Sequence, residues 1–124
     1  YLYIRNYAPD TWPAGNPETG YRNVDDSPTK TLLISSFDMY YRMSFGKRPA
    51  EELYDMRTDK ECLHNLAADP KMAQVKRKML ENMEETLRGE GDPRMLGRSD
   101  FFDTIRYNGP RKHAYDEWLK NSRP

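Results

Sequence analysis

The 124 residues carry twenty Lys and Arg against twenty Asp and Glu, so the chain is formally neutral and lacks the global field that draws a protein to nucleic acid or to an anionic membrane surface. At 36 % apolar and 32 % charged residues it lies on the polar side of globular sequences, yet nine Tyr, four Phe and two Trp argue for a folded domain rather than disorder. No apolar run of about 18 residues exists to span a bilayer, and no signal-peptide pattern is present.

Length predicts one domain, 1–124, with its core in about 1–97 and an irregular tail from 98 to 124. The apolar content is low for a self-sufficient core, which is the expectation for a piece of a larger protein whose partner covers one face. The chain opens on Tyr1 without an initiator Met, an opening compatible with a signal segment upstream, so the sequence leaves the compartment open.

Tyr1 to Tyr7 reads as a strand, with Leu2 and Ile4 on one face and Tyr1, Tyr3 and Arg5 on the other; Pro9 ends it. From Asp10 to Asn23 the residues Pro13, Gly15, Pro17 and Gly20 signal turns around two large rings, Trp12 and Tyr21. Such a loop is either functional or mobile, and its aromatics serve equally well as plugs on the core. Asp26-Ser27-Pro28 predicts a helix start, with Ser27 as N-cap and Pro28 at the first helical position. Leu32, Leu33, Ser36, Phe37 and Tyr40 set its apolar face, and the helix is expected to run to about Tyr41 before Gly46 and Pro49 break the pattern. Lys47 and Arg48 are expected to be solvated loop side chains, with an anion contact as the less favoured role.

Leu53 to Arg57 predicts a second, short strand, paired antiparallel with the first. Asp69-Pro70 opens the strongest helix, about Pro70 to Arg88, whose stripe of Met72, Val75, Met79, Met83 and Leu87 recurs at spacings of three and four. Methionines at such spacing are core filling rather than a cofactor box, and Gly89 and Gly91 stop the helix. Beyond Asp92-Pro93 the pattern weakens. Phe101 to Tyr107 reads as a short strand or an aromatic clamp, Asn108-Gly109-Pro110 as a turn, and Ala114 to Leu119 as one or two helical turns. The fold class is α+β: a small antiparallel sheet packed by one long helix.

Self-contained chemistry is missing from these residues. His64 and His113 are the only histidines, and neither has a second ligand type at metal spacing; His64 is expected to hydrogen-bond the turn between strand and helix. Cys62 lies beside Glu61, which disfavours a thiolate, so it reads as a small semi-buried apolar residue rather than a nucleophile. No Gly-rich phosphate loop, nucleophile elbow or repeat is present. The sequence therefore assigns no catalytic residue and no metal ligand.

Glu52-Leu53-Tyr54-Asp55-Met56-Arg57-Thr58-Asp59, followed by Glu61, Asn65-Leu66-Ala67 and Asp69-Pro70, resembles the E-L-Y-D-L-x-x-D-P-x-E-x-x-N-L-A-x-D-P signature near the C-terminus of sulfatases of the alkaline-phosphatase-like superfamily, with Lys60 in place of the usual Pro. Asp26-Ser27-Pro28-Thr29 and Asp92-Pro93-Arg94 are similar to the branch of heparan N-sulfatases (sulfamidases). The resemblance covers most of Tyr1 to Gly97. It implies a C-terminal subdomain whose sheet usually has four strands, docked on an N-terminal catalytic domain that carries calcium and a formylglycine made within C/S-x-P/A-x-R. Cys62-Leu63-His64-Asn65 does not match that motif. The chain alone is then expected to be inactive, with the catalytic domain and a sulfated carbohydrate as partners, without nucleic acid or membrane. A periplasmic, secreted or lysosomal location is implied for the whole enzyme. Arg5, Asp10 and Trp12 are the candidates for substrate contact, since Arg suits sulfate oxygens and aromatic rings suit sugar faces. The competing expectations are a free-standing carbohydrate-binding or interaction module and, last, hydrolase activity of the chain itself.

Overall fold

The computed structural model describes residues 1–36, 38–106, 109 and 113–122. They form two compact units, one made of Tyr1–Tyr7 and Pro49–Arg106, the other of the described residues within Ala8–Arg48 and Tyr107–Pro124.

In the first unit β1 (Leu2–Arg5) pairs antiparallel with β2 (Glu51–Tyr54), Leu2 opposite Tyr54 and Arg5 opposite Glu51. The expected pairing holds, but β2 starts and ends earlier than Leu53 to Arg57. Asp55 ends it: its backbone carbonyl accepts from the Thr58 and Asp59 amides and its carboxylate from the Arg57 amide, so the chain turns where alternation alone would extend the strand. Opposed residues share a face, so Tyr3, Arg5, Glu51 and Leu53 lie together. Leu53 is fully buried, whereas Leu2 and Ile4 on the other face are 38 % and 36 % exposed. Within β1 the alternation is as read, and Glu52 and Tyr54, opposite Ile4 and Leu2, are buried, but Tyr3 and Arg5 are more covered than Leu2 and Ile4. Glu51 makes this workable by accepting from the Tyr3 hydroxyl at 2.8 Å and from Lys76 Nζ at 2.8 Å.

Lys76 belongs to the long helix, which begins as a 3₁₀ turn at Pro70–Met72 and continues as α3 (Ala73–Gly89), packed on β1. Asp69 is the expected N-cap, its carboxylate accepting from the Lys71 amide at 2.9 Å. Arg77–Glu81 and Arg88–Glu84 close as ion pairs four residues apart, at 3.8 and 2.9 Å. Each contributes a few tenths of a kcal/mol at most. Every residue of the Met72, Val75, Met79, Met83 and Leu87 stripe is only half-buried. Ser99–Thr104 is a 3₁₀ helix, not a strand. Phe101 and Phe102 meet edge to face at 5.5 Å, and the Arg94 guanidinium lies 4.8 Å from the Phe102 ring centre, an arrangement closer to the aromatic clamp. Tyr107, Asn108 and Pro110, and with them the predicted turn, fall outside the described residues.

Among the described residues the sheet has two strands rather than four. The second edge of β2 is occupied by irregular chain instead: the Leu66 amide donates to the Leu53 carbonyl at 2.8 Å.

The second unit holds α1 (Pro28–Ser36), α2 (Met39–Phe45) and α4 (Ala114–Asn121). Ser27 caps α1 as expected, Oγ accepting from the Lys30 amide at 3.1 Å. The helix does not run on to Tyr41. Asp38 starts a new helix by accepting from the Tyr40 and Tyr41 amides; this cap holds its carboxyl below the ordinary range, the Tyr41 amide being the main cause. The core is Ala14, Tyr21 and Phe45, joined by Trp12, Leu33, Ile34 and Tyr41. Leu32 and Tyr40, placed on the apolar face by spacing, are exposed, and Phe37 lies outside the described residues.

Candidate functional site

The stretch that carries the family resemblance is spent on architecture. Asn65 Oδ1 accepts from the Leu53 and Ala67 amides, both at 2.9 Å, and Nδ2 donates to the Glu51 carbonyl at 3.0 Å, so one side chain substitutes for a neighbouring strand. Asp59 accepts from the Leu63 and His64 amides, which hold its carboxyl below the ordinary range. The Arg57 guanidinium does the same for Asp55, lowering it to about 2. Glu52 is buried and accepts from the Tyr54 hydroxyl and from Asn6 Nδ2. Cys62 sits half-buried at a left-handed φ of 55°, its Sγ 3.6 Å from Met56 Sδ. His64 is largely exposed, and Nδ1 lies 3.5 Å from the Asp59 carboxylate, in line with its expected place at the turn.

Arg5, Asp10 and Trp12 are divided between the two units. Arg5 is half-buried in β1, 3.9 Å from Glu51 and over the Tyr7 ring at 5.4 Å. Asp10 is exposed in the turn closed by the Thr11 amide and the Ala8 carbonyl.

Trp12 lines a cleft of about 290 Å³ within the second unit, with Asn16, Arg22, Asn23 and Tyr115. The loop that forms it is ordered by backbone hydrogen bonds from Gly15 to Trp12, from Tyr21 to Asn16 and from Asn23 to Ala14. Gly15 takes a φ of 90° and brings the chain so close that an added Cβ would lie 3.1 Å from the Arg22 nitrogen. Beneath it Tyr21, 3 % exposed, stacks at a tilt on Phe45 and shares a hydroxyl hydrogen bond with Tyr41. Burial is the main cause that pushes its phenol up, and that hydrogen bond adds to it. Lys30, 5 % exposed, ties the loop to α1: its ammonium donates to the Tyr21 and Val24 carbonyls and to Asp26. The predicted long loop is therefore a folded element with the unit's core inside it.

Trp12 itself is half-buried, meets Tyr21 edge to face, and carries the Lys47 ammonium 5.3 Å from its ring centre. Tyr115 stacks parallel on Trp118, interplanar angle 9°. Sequence reading identified Trp12 but missed Asn16, Arg22, Asn23 and Tyr115. The turn signals at Gly15 and Gly20 locate the loop, while α4 enters only through long-range folding.

No protein-family model matches the sequence, and no solved structure matches it. Over 53 residues the chain is 38 % identical to an uncharacterized protein of Haemophilus influenzae, an overlap covering 43 % of this chain and 27 % of that one. Over 92 residues, 74 % of this chain and 16 % of the relative, it is 28 % identical to an Ulvan-active sulfatase of Formosa agariphila. The chain thus spans a small part of the length of the curated relatives it matches, and most of it is similar to a region of a sulfatase.

Proposed function

We propose that this chain is the non-catalytic C-terminal subdomain of a sulfatase that hydrolyses sulfate esters or N-sulfates of a sulfated sugar. The observation that carries the reading is the similarity of 74 % of the chain to a region of a sulfatase. Its support is that the signature residues Glu52, Asp55, Asp59, Asn65 and Asp69 are engaged in turns, caps and strand edges. In this reading they build a platform, and the chemistry belongs to an N-terminal catalytic domain that holds calcium and formylglycine. Among the described residues no three His, Cys, Asp or Glu side chains come together as a metal site requires.

The catalytic domain is the partner in this reading, and the half-buried methionine stripe of the long helix is the apolar surface it would cover. The N-sulfatase branch is the finer form of the proposal, supported by the Asp26 to Thr29 and Asp92 to Arg94 resemblances, and a periplasmic, secreted or lysosomal location goes with it. Arg5, Asp10 and Trp12 remain the proposed substrate contacts, Trp12 with the added support of its cleft. A free-standing carbohydrate-binding module is the second reading, favoured by the same cleft. An association experiment separates the two. The 124-residue chain is expected to bind a separately produced N-terminal region of the same gene product and to bind a hydrophobic-surface dye. A monomeric chain that does neither would favour the module.

A further inference from the structure

We propose that the cleft between Trp12 and Tyr115 binds one sulfated pyranose unit, with Arg22 taking the sulfate, Asn16 and Asn23 the ring hydroxyls, and the two aromatic rings the sugar faces. The sulfate assignment rests on the sulfatase reading above; the pyranose assignment rests on the cleft. Its lining combines two large rings, two side-chain amides and a guanidinium, which is the mixture a sugar needs: apolar C–H faces for stacking and hydroxyls for bidentate amides. At about 290 Å³ it falls just below the usual range of ligand pockets, about 300–1,000 Å³, which suits one ring rather than several.

Arg22 is available to an anion. Its side chain is 41 % exposed and its guanidinium lies 3.7 Å from Asp26, a loose pair, and exposed pairs of this kind are weak. Asp26 does not depend on it, because Lys30 Nζ contacts the same carboxylate at 3.1 Å. A sulfate can therefore draw Arg22 away without stranding Asp26, and guanidinium to sulfate is the stronger, charge-assisted match.

An adjoining hollow of about 370 Å³ shares Thr19 and Arg22 with the cleft but is lined by Glu18, Glu117 and Trp118. Two carboxylates repel an anion while accepting from hydroxyls. Arg22 lines both hollows, so in this proposal the sulfate meets Arg22 within the cleft and the uncharged portion of the sugar is the part that meets the carboxylates.

The test is an NMR titration of the ¹⁵N-labelled 124-residue chain with glucose 6-sulfate, glucuronate, glucose and sodium sulfate, following the indole N–H of Trp12 and the side-chain amides of Asn16 and Asn23. Glucose 6-sulfate is expected to shift all three saturably, with glucose weaker by about tenfold, the scale of one charge-assisted contact. Arg22→Gln, a change at an exposed side chain, should remove that advantage and leave the glucose affinity in place. Trp12→Leu, checked for retained amide dispersion, should weaken both sugars. Absence of saturable shifts with either sugar overturns the subsite. Equal affinity for glucose and glucose 6-sulfate, preference for glucuronate, or sodium sulfate reproducing the full response overturns the sulfated-sugar assignment. Sulfate release by the gene product containing this chain is scored separately, so loss of the sulfatase reading and loss of the subsite are distinguishable.

Discussion

Replacing Asn65 by Ala should be among the most damaging single changes in the first unit. The side chain accepts from the amides of Leu53 and Ala67 and donates to the Glu51 carbonyl, at 2.9, 2.9 and 3.0 Å. Asn65 itself is exposed, so the Ala67 amide and Glu51 carbonyl recover water and each loss costs a few tenths to about 1 kcal/mol. The Leu53 amide is different, because Leu53 is fully buried, and stranding its donor costs about 1–3 kcal/mol. The expected loss is about 2–4 kcal/mol, a large share of a small domain's stability. Urea unfolding of wild type, Asn65→Ala and Asn65→Asp measures it. Asn65→Asp keeps both acceptor bonds but sets a carboxylate against the Glu51 carbonyl, and should fall between the other two. Faster exchange of the Leu53 amide in Asn65→Ala identifies the cause. A loss below about 0.5 kcal/mol, with Leu53 protection intact, would refute the strand-substitute role.

Lys30→Met preserves the length of the side chain but removes the donor to the Tyr21 and Val24 carbonyls, and should cost about 2–3 kcal/mol in thermal or urea unfolding; a neutral result would contradict its role as the tie between loop and α1. The Glu51 carboxyl is held below its ordinary range, first by the Lys76 hydrogen bond and then by Tyr3. A depressed carboxyl contributes stability above its unfolded value of about 4.3 and loses it as pH falls through the folded value. Wild type should therefore weaken more steeply than Glu51→Gln below about pH 4, and parallel acid-unfolding curves would contradict this. Gly15→Ala should cost more than Gly20→Ala, about 1–3 kcal/mol, because both have positive φ but only at Gly15 does a Cβ meet backbone, at 3.1 Å; equal losses would show that the close approach is unimportant.

Legibility followed the range of the interactions. Ser27-Pro28 and Asp69-Pro70 were readable as helix starts because a cap is settled within three residues. Asp38 obeys the same local rule, yet the continuing apolar spacing on either side hid it and made one helix of two. β2 was displaced because Glu51 and Glu52 look like loop residues until Lys76, Tyr3 and Asn6 supply partners from distant segments. The core of the second unit was hidden for a related reason. Tyr21 and Phe45 meet across the chain at 4.8 Å, while helical spacing favoured Leu32 and Tyr40, which face solvent. The candidate cleft was half legible: Trp12 stood out as an aromatic in a turn-rich loop, but no local pattern links Arg22 to Tyr115.

In the proposed function this chain builds part of a sulfatase without doing its chemistry. Sulfate release from a panel of N-sulfated and O-sulfated sugars tests this most directly, measured in parallel for the gene product that contains the chain and for the 124 residues alone. Release is expected from the former and none from the latter. Sulfate released by the isolated chain, or a folded gene product that releases none across the panel, would contradict the proposal.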